Sequence, residues 1–217
     1  MLAIAGGKGG TGKTTTALAL ARELAAQDAG STETQSVTVV DADVDMPDVH
    51  AMAGVGRTPT VLERPRGRPV PSLAGVRVAP APPPDAADAF ERVLVDLAAD
   101  ADTRRGAPTA VVDAPCGAGP DAALPLAVAD RVVLVTRPTP AAVRDTAKTA
   151  AMARTLGTPV AAAVVVGDRP LRSLAEALRV DDVVSVPLVD EDPLRSRPHQ
   201  ASVRRLRAVI GPWQTPF

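Results

Sequence analysis

Aromatic side chains are almost absent from this sequence of 217 residues. Phe90, Trp213 and Phe217 are the complete set, and there is no tyrosine. Proteins that hold single-stranded nucleic acid without sequence preference stack the bases on aromatic rings. The composition therefore argues against a base-stacking surface. The formal net charge of −1 gives no overall attraction to nucleic acid or anionic lipid, so such binding would have to come from a local patch.

Cysteine is equally scarce, because Cys116 is the only one. A single thiol excludes a disulfide within the chain, which fits a reducing cytoplasm. No apolar run approaches the roughly 18 residues that a spanning helix needs. The first residues also lack the basic start and long apolar core of a secretory signal. We therefore expect a cytoplasmic protein that is neither exported nor transmembrane.

The hydrophobic residues, 46% of the chain, are arranged in a regular alternation. Short valine-rich runs are separated by stretches of alanine and leucine at helical spacing, which is the pattern of βαβ units. We predict an α/β fold with a doubly wound, mostly parallel sheet and helices on both faces, built as a single domain over residues 1–217. Strands are predicted near 2–5, 37–41, 76–79, 109–113, 131–136, 160–166 and 183–186. Helices are predicted near 13–28, 86–101, 120–128, 140–156, 171–179 and 199–210.

The segment 57–84 departs from this alternation. It holds eight prolines together with several arginines, which is typical of irregular surface chain. Two interpretations stay open. The segment is either a solvated excursion between two βα units or a basic loop that binds a partner.

Residues 7–14 read GKGGTGKT and match the phosphate-loop pattern G-x-x-x-x-G-K-[ST], the Walker A motif, between a predicted strand and a predicted helix. Its glycines let backbone amides face phosphate oxygens, and the helix N-terminus favours an anion. The pattern assigns Lys13 to the β- and γ-phosphates and the Thr14 hydroxyl to Mg²⁺. The motif therefore predicts a Mg²⁺-dependent nucleoside-triphosphatase. The predicted nucleotide-binding residues of the loop are Gly7, Lys8, Gly9, Gly10, Thr11, Gly12, Lys13, Thr14 and Thr15.

Acidic residues follow two further predicted strands. Asp41 ends one strand and is followed by Asp43, Asp45 and Asp48, and Asp113 ends another strand in the Walker B arrangement. Ligands of open α/β folds bind at the carboxyl edge of the sheet, so these acids are expected beside the phosphate loop. Asp113 is predicted to hold Mg²⁺, and Asp41 to support the loop through backbone hydrogen bonds. For Asp45 and Asp48, solvated turn acids are an equal alternative.

The early lysine of the loop, Lys8, makes the sequence resemble the deviant Walker A signature of the MinD/ParA ATPases. The resemblance implies that Lys8 reaches across a dimer interface to the partner's nucleotide, much as an arginine finger does. It also implies that Asp43 positions the attacking water and touches the Mg²⁺ shell. The predicted catalytic residues are therefore Lys8, Lys13 and Asp43, and the predicted metal site is Thr14, Asp43 and Asp113.

The family's Asp-x-Pro-x-Gly string is matched by Asp113, Pro115 and Gly117, and the resemblance implies that Gly117 approaches the γ-phosphate. Cys116 falls on the variable position and is expected to be a small, partly buried residue. A cluster-holding pair of cysteines across a dimer is the weaker alternative.

The strings at 129–140 and 186–191 also look like the family's, so the resemblance covers nearly the whole chain. One departure concerns the nucleobase. The family usually carries an Asn-Arg pair there, whereas this chain has Asp168 and Arg169, which we assign to the base on the resemblance. ATP is the expected nucleotide, while GTP stays open because a carboxylate also suits the two donors of guanine.

The resemblance implies a switch in which ATP binding closes a homodimer, the dimer engages a partner protein or a surface, and hydrolysis releases it. Such a switch would position cellular components in division, polarity or partition. A synthetase-type, ATP-dependent metabolic enzyme on the same fold is the alternative, and a metal-cluster carrier is disfavoured by the single cysteine. The surface could be membrane or non-specific DNA. Val203, Leu206 and Ile210 share a helical face beside arginines, and we expect this face to dock on the sheet rather than lie in lipid.

Overall fold

The computed structural model describes residues 1–28, 37–66, 72–73, 75–102, 110–167 and 172–211. Strands and helices alternate along most of the chain. The strands are β1 (Leu2–Ala5), β2 (Thr38–Asp41), β3 (Ser72–Leu73), β4 (Val76–Ala79), β5 (Ala110–Asp113), β6 (Arg131–Thr136), β7 (Val160–Val166) and β8 (Val183–Val186). The helices are α1 (Lys13–Asp28), α2 (Val49–Met52), α3 (Ala87–Asp102), α4 (Pro120–Ala127), α5 (Pro140–Thr155), α6 (Arg172–Leu178) and α7 (Arg197–Ile210). Short 3₁₀ turns occupy Val61–Arg66 and Pro84–Ala86.

The eight strands form one sheet in the order β3-β4-β2-β5-β1-β6-β7-β8. Neighbouring strands are parallel except β3, which pairs antiparallel with β4. The predicted doubly wound fold is therefore confirmed, and the seven predicted strands and six predicted helices lie within about two residues of their expected bounds. The short elements β3 and α2 and the turn at Val61–Arg66 were not predicted. Strand β3 and this turn lie within the segment 57–84 that was expected to be irregular, and α2 lies just before it.

Both faces of the sheet are buried, which explains why its strands read as continuous apolar runs. Successive residues of a strand point to opposite faces. Leu2 and Ile4 of β1 pack into the cluster that includes α1 and α7, whereas Ala3 and Ala5 pack into the cluster under α4 and α5. Helix α3 covers β2 and β5 on that second face. The central strand β1 thus lies deep in the core. It fixes the position of the loop that follows it.

Helix α7 docks on the protein, as predicted from its apolar stripe. Val203, Leu206 and Ile210 are 2%, 0% and 8% exposed and belong to the core cluster shared with α1. At the C-terminus of α7, the Arg131 guanidinium donates a hydrogen bond to the Ile210 carbonyl at 3.0 Å. None of the helices in the described ranges combines the length and the apolar character that crossing a bilayer requires.

Candidate nucleotide site

The carboxyl ends of three neighbouring strands converge on one edge of the sheet. In the register of the sheet, Asp41 of β2 lies opposite Asp113 of β5, and Asp113 lies opposite Ile4 of β1. The chain leaves β1 directly into residues 6–12 and then enters α1 at Lys13. The predicted phosphate loop and the predicted acids therefore meet at the edge where open α/β folds bind ligands.

The phosphate loop is pressed against the rest of the fold, and its first glycines are needed for that reason. A Cβ on Gly6 would lie 2.4 Å from the Val135 carbonyl oxygen of β6. A Cβ on Gly7 would lie 2.2 Å from the Asp145 carbonyl carbon of α5. The Gly7 amide donates a hydrogen bond to Thr146 Oγ1 of the same helix at 3.2 Å. Later in the loop, Gly10 and Gly12 adopt φ angles of +69° and +97°, which favour glycine.

A cavity of about 360 Å³ opens in front of the α1 N-terminus. Backbone amides at a helix N-terminus attract phosphate, and the Lys13 ammonium adds a full positive charge. The cavity brings together most of the predicted loop residues with Asp43 and Asp113. Its walls are formed by Gly9, Gly10, Gly12, Lys13, Thr14, Thr15, Asp43, Met46, Asp48, Met52, Asp113, Ala114, Cys116 and Arg137. Thr11 is buried beneath the loop, where its hydroxyl donates to the Lys8 carbonyl at 3.1 Å.

The Thr14 hydroxyl lies between two carboxylates at the base of this cavity. Thr14 Oγ1 is 2.6 Å from Asp113 Oδ2 and 2.9 Å from Asp48 Oδ1. The other oxygen of Asp113, Oδ1, is buried and has no hydrogen-bond partner among the described residues. A buried carboxylate oxygen without a partner calls for a cation or a donor. Hydroxyl and carboxylate oxygens are the ligands that Mg²⁺ prefers, so these residues fit the ion that the sequence predicts.

Burial shifts two acids of this edge, Asp41 and Asp113, toward their protonated forms. It raises the pKa of Asp113 to about 8, against the opposing influence of the Thr14 hydrogen bond and the Lys13 charge. Burial likewise raises the pKa of Asp41 to about 7, although Asp41 accepts two backbone hydrogen bonds. A carboxyl that is costly to ionise alone is stabilised as a carboxylate by a bound cation. Metal binding at this site would therefore release a proton and would strengthen as the pH rises.

The stability of the nucleotide-free protein is expected to fall as the pH rises. Because the pKa values of Asp41 and Asp113 are raised in the folded state, their contribution is complete below about pH 4 and is lost progressively as the pH rises from there through 7 to 8. The free energy of unfolding is expected to fall by about 1 kcal/mol per pH unit for each proton that the chain releases on unfolding. Asp113→Asn cannot ionise and should flatten the slope. Urea unfolding in EDTA between pH 6 and 8 measures it, and equal slopes for the variant and the unmodified chain would contradict the assignment.

The segment after β2 is organised by its own acids. Asp41 Oδ1 accepts a hydrogen bond from the Asp43 amide at 3.1 Å, and Asp41 Oδ2 accepts one from the Val49 amide at 3.2 Å. These bonds confirm the predicted supporting role of Asp41. Asp43 Oδ1 accepts from the Met46 amide at 3.0 Å, and the Asp43 side chain lines the cavity. Its roles toward water and metal stay predictions.

Lys8 lies outside the wall of the cavity, on the side of the loop that faces α5. Its side chain is 52% exposed, and its Nζ lies 3.8 Å from Asp145 Oδ2. Lys148 Nζ is 3.0 Å from the other oxygen of Asp145. The hydrogen bond from Lys148, with the nearby positive charges, holds the pKa of Asp145 below its ordinary value. Lys8 is therefore held next to the loop by a carboxylate that stays ionised, with its ammonium accessible to solvent.

The loop after β5 corrects one expectation. Cys116 is exposed and lines the cavity, whereas the sequence predicted a partly buried residue. The reason is that Cys116 follows the end of β5, where the chain turns to the surface. Gly117 has a φ of +93°, its amide donates to the Gly6 carbonyl at 2.8 Å, and its carbonyl accepts from Thr149 Oγ1 at 3.0 Å. These bonds attach this loop to the phosphate loop and to α5.

Sequence reasoning left Asp48 open between a site acid and a solvated turn acid, and it gave no role to Arg137, which also lines the cavity. Arg137 follows β6, and its guanidinium lies 3.4 Å from the Gly10 carbonyl oxygen, a long contact. A cation directly after a central strand was the available signal. Asp48 carried no signal that set it apart from Asp45. The residues assigned to the nucleobase, Asp168 and Arg169, lie outside the described residues.

Comparisons with known proteins agree with this geometry. The CobQ/CobB/MinD/ParA nucleotide binding domain matches residues 2–178. An uncharacterised ATP-binding protein of Methanocaldococcus jannaschii is 26% identical over 213 residues, with 88% of this chain and 74% of that protein covered.

Two solved structures show the same fold. The septum site-determining protein MinD of Pyrococcus horikoshii, complexed with Mg-ADP, has a TM-score of 0.70 at 20% identity and covers 93% of this chain and 85% of its own. Cobyrinic acid a,c-diamide synthase of Mycobacterium smegmatis, with a bound ATP analogue and magnesium, has a TM-score of 0.66 at 20% identity and covers 95% and 93%. At 20% identity, these two structures show the fold alone.

Proposed function

Because this chain belongs to the CobQ/CobB/MinD/ParA nucleotide-binding domain family, we propose that it is a Mg²⁺-dependent ATPase that acts as a dimerisation switch. ATP binding closes a homodimer, the closed form engages a partner protein or surface, and hydrolysis releases it. The whole chain acts as one P-loop NTPase domain. The continuous eight-stranded sheet supports that reading.

The residues around the cavity divide the work of holding the nucleotide. The loop amides and the α1 N-terminus bind the phosphates, with the Lys13 ammonium between the β- and γ-phosphates. Thr14 and Asp113 would hold Mg²⁺, with Asp43 touching its shell, and the ion would supply positive charge beside the phosphates. Asp43 orients the attacking water from the cavity wall. The adenine is assigned to the loop that contains Asp168 and Arg169.

The position of Lys8 carries the dimer proposal. A lysine that served its own nucleotide would be expected inside the cavity, as Lys13 is. Lys8 instead points outward beside Asp145 and is half exposed, so its ammonium is available to a second copy of the chain. Placed against the partner's nucleotide, it supplies positive charge where negative charge accumulates during phosphoryl transfer.

A synthetase-type enzyme is the second candidate, and one observation favours it. A largely apolar groove of about 630 Å³ runs between α5 and α6 and begins at Pro138, next to the cavity residue Arg137. Arg144 and Ser173 are among its polar lining residues. A second substrate in this groove would lie close to the nucleotide. Such an enzyme would hydrolyse ATP only when that substrate is bound. Its oligomeric state would not need to change when ATP binds.

The oligomeric mass in different nucleotides tests the switch. We expect Mg·ATP alone to convert the protein from monomer to dimer, with slow release of phosphate, while Mg·ADP, Mg·GTP and buffer leave it monomeric. Light scattering coupled to size exclusion measures the mass, and a phosphate assay runs on the same samples. A monomer in every nucleotide would remove the dimer proposal and favour the synthetase, and equal effects of GTP and ATP would remove the assignment of ATP.

The partner surface would be sought with the closed form. Arg204 and Arg205 of α7 are exposed beside the docked apolar stripe and suit an anionic surface. Retention of the dimer on anionic vesicles or on DNA would tell membrane from nucleic acid. Retention on neither leaves a partner protein as the ligand of the switch.

A further inference from the structure

Asp48 occupies the N-cap position of α2 but does not cap it. An aspartate at this position usually accepts hydrogen bonds from the first amides of its own helix. Here the Asp48 side chain makes no such bond. The Asp48 carboxylate is directed to Thr14 Oγ1 at 2.9 Å, across 34 positions of sequence. A side chain that leaves its local partner for a distant one indicates a functional demand.

The partner of Asp48 is the hydroxyl that the phosphate loop presents to Mg²⁺. Thr14 Oγ1 has one hydrogen to donate, and it has carboxylates on two sides, Asp48 and Asp113. The unpartnered Oδ1 of Asp113, a side chain only 3% exposed, is the second sign that this position expects a cation. Asp48 is an exposed residue that contacts the same hydroxyl from a different element than Asp113.

We propose that Asp48 is a positioning residue of the Mg²⁺ site, which orients the Thr14 hydroxyl and ties α2 to occupancy of the cavity. The inference rests on the proposed nucleotide function and adds a residue to it. Partners that orient a metal ligand from outside strengthen metal binding. Asp48 orients Thr14 from the start of α2, whereas Asp113 does so from β5. Binding of Mg²⁺ would therefore also fix the start of α2.

The same segment carries two exposed methionines at the mouth of the cavity. Met46 and Met52 are 78% and 41% exposed and line its rim. The Met52 amide donates to the Asp48 carbonyl at 3.0 Å, and the Ala53 amide to the Val49 carbonyl at 2.9 Å. Restraining Asp48 therefore restrains the turn that bears Met52. Through this turn, binding in the cavity would determine how well Met52 is ordered at the cavity mouth.

The experiment compares Asp48→Ala and Asp48→Asn with Asp45→Asn, a matched control at an exposed acid of the same segment that does not line the cavity. ADP affinity is measured by calorimetry in EDTA and across a Mg²⁺ titration. Hydrogen exchange of the Val49, Met52 and Ala53 amides is followed in the same states. Both readouts use ADP and are therefore independent of hydrolysis and dimerisation.

For Asp48→Ala we expect about 10-fold weaker Mg²⁺ binding to the ADP complex or more, with ADP affinity in EDTA unchanged. The slowing of amide exchange at α2 by Mg·ADP should be lost in this variant and kept in Asp45→Asn. Asp48→Asn, which retains an acceptor oxygen but no charge, should fall between the two. If Asp48→Ala matches Asp45→Asn in both readouts, the role of Asp48 is overturned while the nucleotide function stands. If the unmodified chain binds no ADP at all, the nucleotide function falls and Asp48 loses its role with it.

Discussion

Replacing Lys8 with alanine is expected to lower ATP hydrolysis by about three orders of magnitude and to abolish the ATP-dependent dimer. The loss reflects the removal of a positive charge from the transition state, for which arginine fingers provide the scale. Binding of Mg·ADP by the monomer should change little, because Lys8 points out of its own cavity and is held by Asp145 at 3.8 Å. Hydrolysis and binding should thus separate in this variant.

The chain offers a matched control for this experiment. Lys148 also pairs with Asp145, at 3.0 Å, and its side chain is exposed. Lys148→Ala removes the other lysine that pairs with Asp145, and this lysine lies on α5 and not in the phosphate loop. The hydrolysis rate and the dimer mass of this variant should stay near those of the unmodified chain. Single-turnover hydrolysis, ADP calorimetry and mass measurement make the comparison. Normal hydrolysis by Lys8→Ala would contradict a role in trans, and loss of ADP binding would place Lys8 in its own site.

The architecture could be predicted because its signals are local and repeated. Strands that are buried on both faces read as short valine-rich runs, such as Val183–Val186 of β8, and the helices between them have lengths that cover the sheet. Burial of the α7 stripe followed from its helical spacing. The elements that escaped prediction are the shortest: β3 has two residues and α2 has four, too few for either period to show.

The composition of the site could be predicted only in part, for a related reason. The phosphate loop and Asp113 belong to contiguous patterns, and the register of parallel strands places them together. The contacts of Thr14 with Asp48 and of Lys8 with Asp145 join residues that are distant in sequence, and each depends on how a loop meets a helix. Among several acids after β2, nothing in their order distinguishes Asp48 from Asp45. That distinction required the direction of each side chain.

The exposure of Cys116 illustrates the same limit. A small residue such as Cys116, placed after an apolar strand, is buried if the strand continues and exposed if the chain turns. The turn here is set by the positive φ of Gly117 and by its bonds to Gly6 and Thr149, which lie in two other segments. Tertiary contacts therefore determine what surrounds the thiol.

Asp43→Asn is expected to lower ATP hydrolysis by about 10² to 10⁴-fold while the ATP-bound dimer persists. In the unmodified chain the Met46 amide donates to Asp43 Oδ1 at 3.0 Å. Asparagine keeps an Oδ1 that can accept this hydrogen bond, so the turn after β2 should be retained. What the substitution removes is the negative charge that would orient and polarise the attacking water, and groups in that role contribute a rate factor of this size. Because Thr14 and Asp113 are untouched, nucleotide binding should remain, and Mg²⁺ binding should weaken only by the loss of the Asp43 charge from its shell.

The comparison with Asp43→Ala tells the chemical role from the structural one. Alanine removes both the charge and the acceptor for Met46, so a residue that only shapes the turn would show a defect in Asp43→Ala and near-normal hydrolysis in Asp43→Asn. A residue that acts on water would show equal loss in both. Phosphate release under single turnover, with the mass of the ATP-bound form, measures the two variants side by side. If Asp43→Asn keeps its rate, the water must be positioned by another group of the cavity wall, and Asp48, which already contacts Thr14, becomes the acid to replace next.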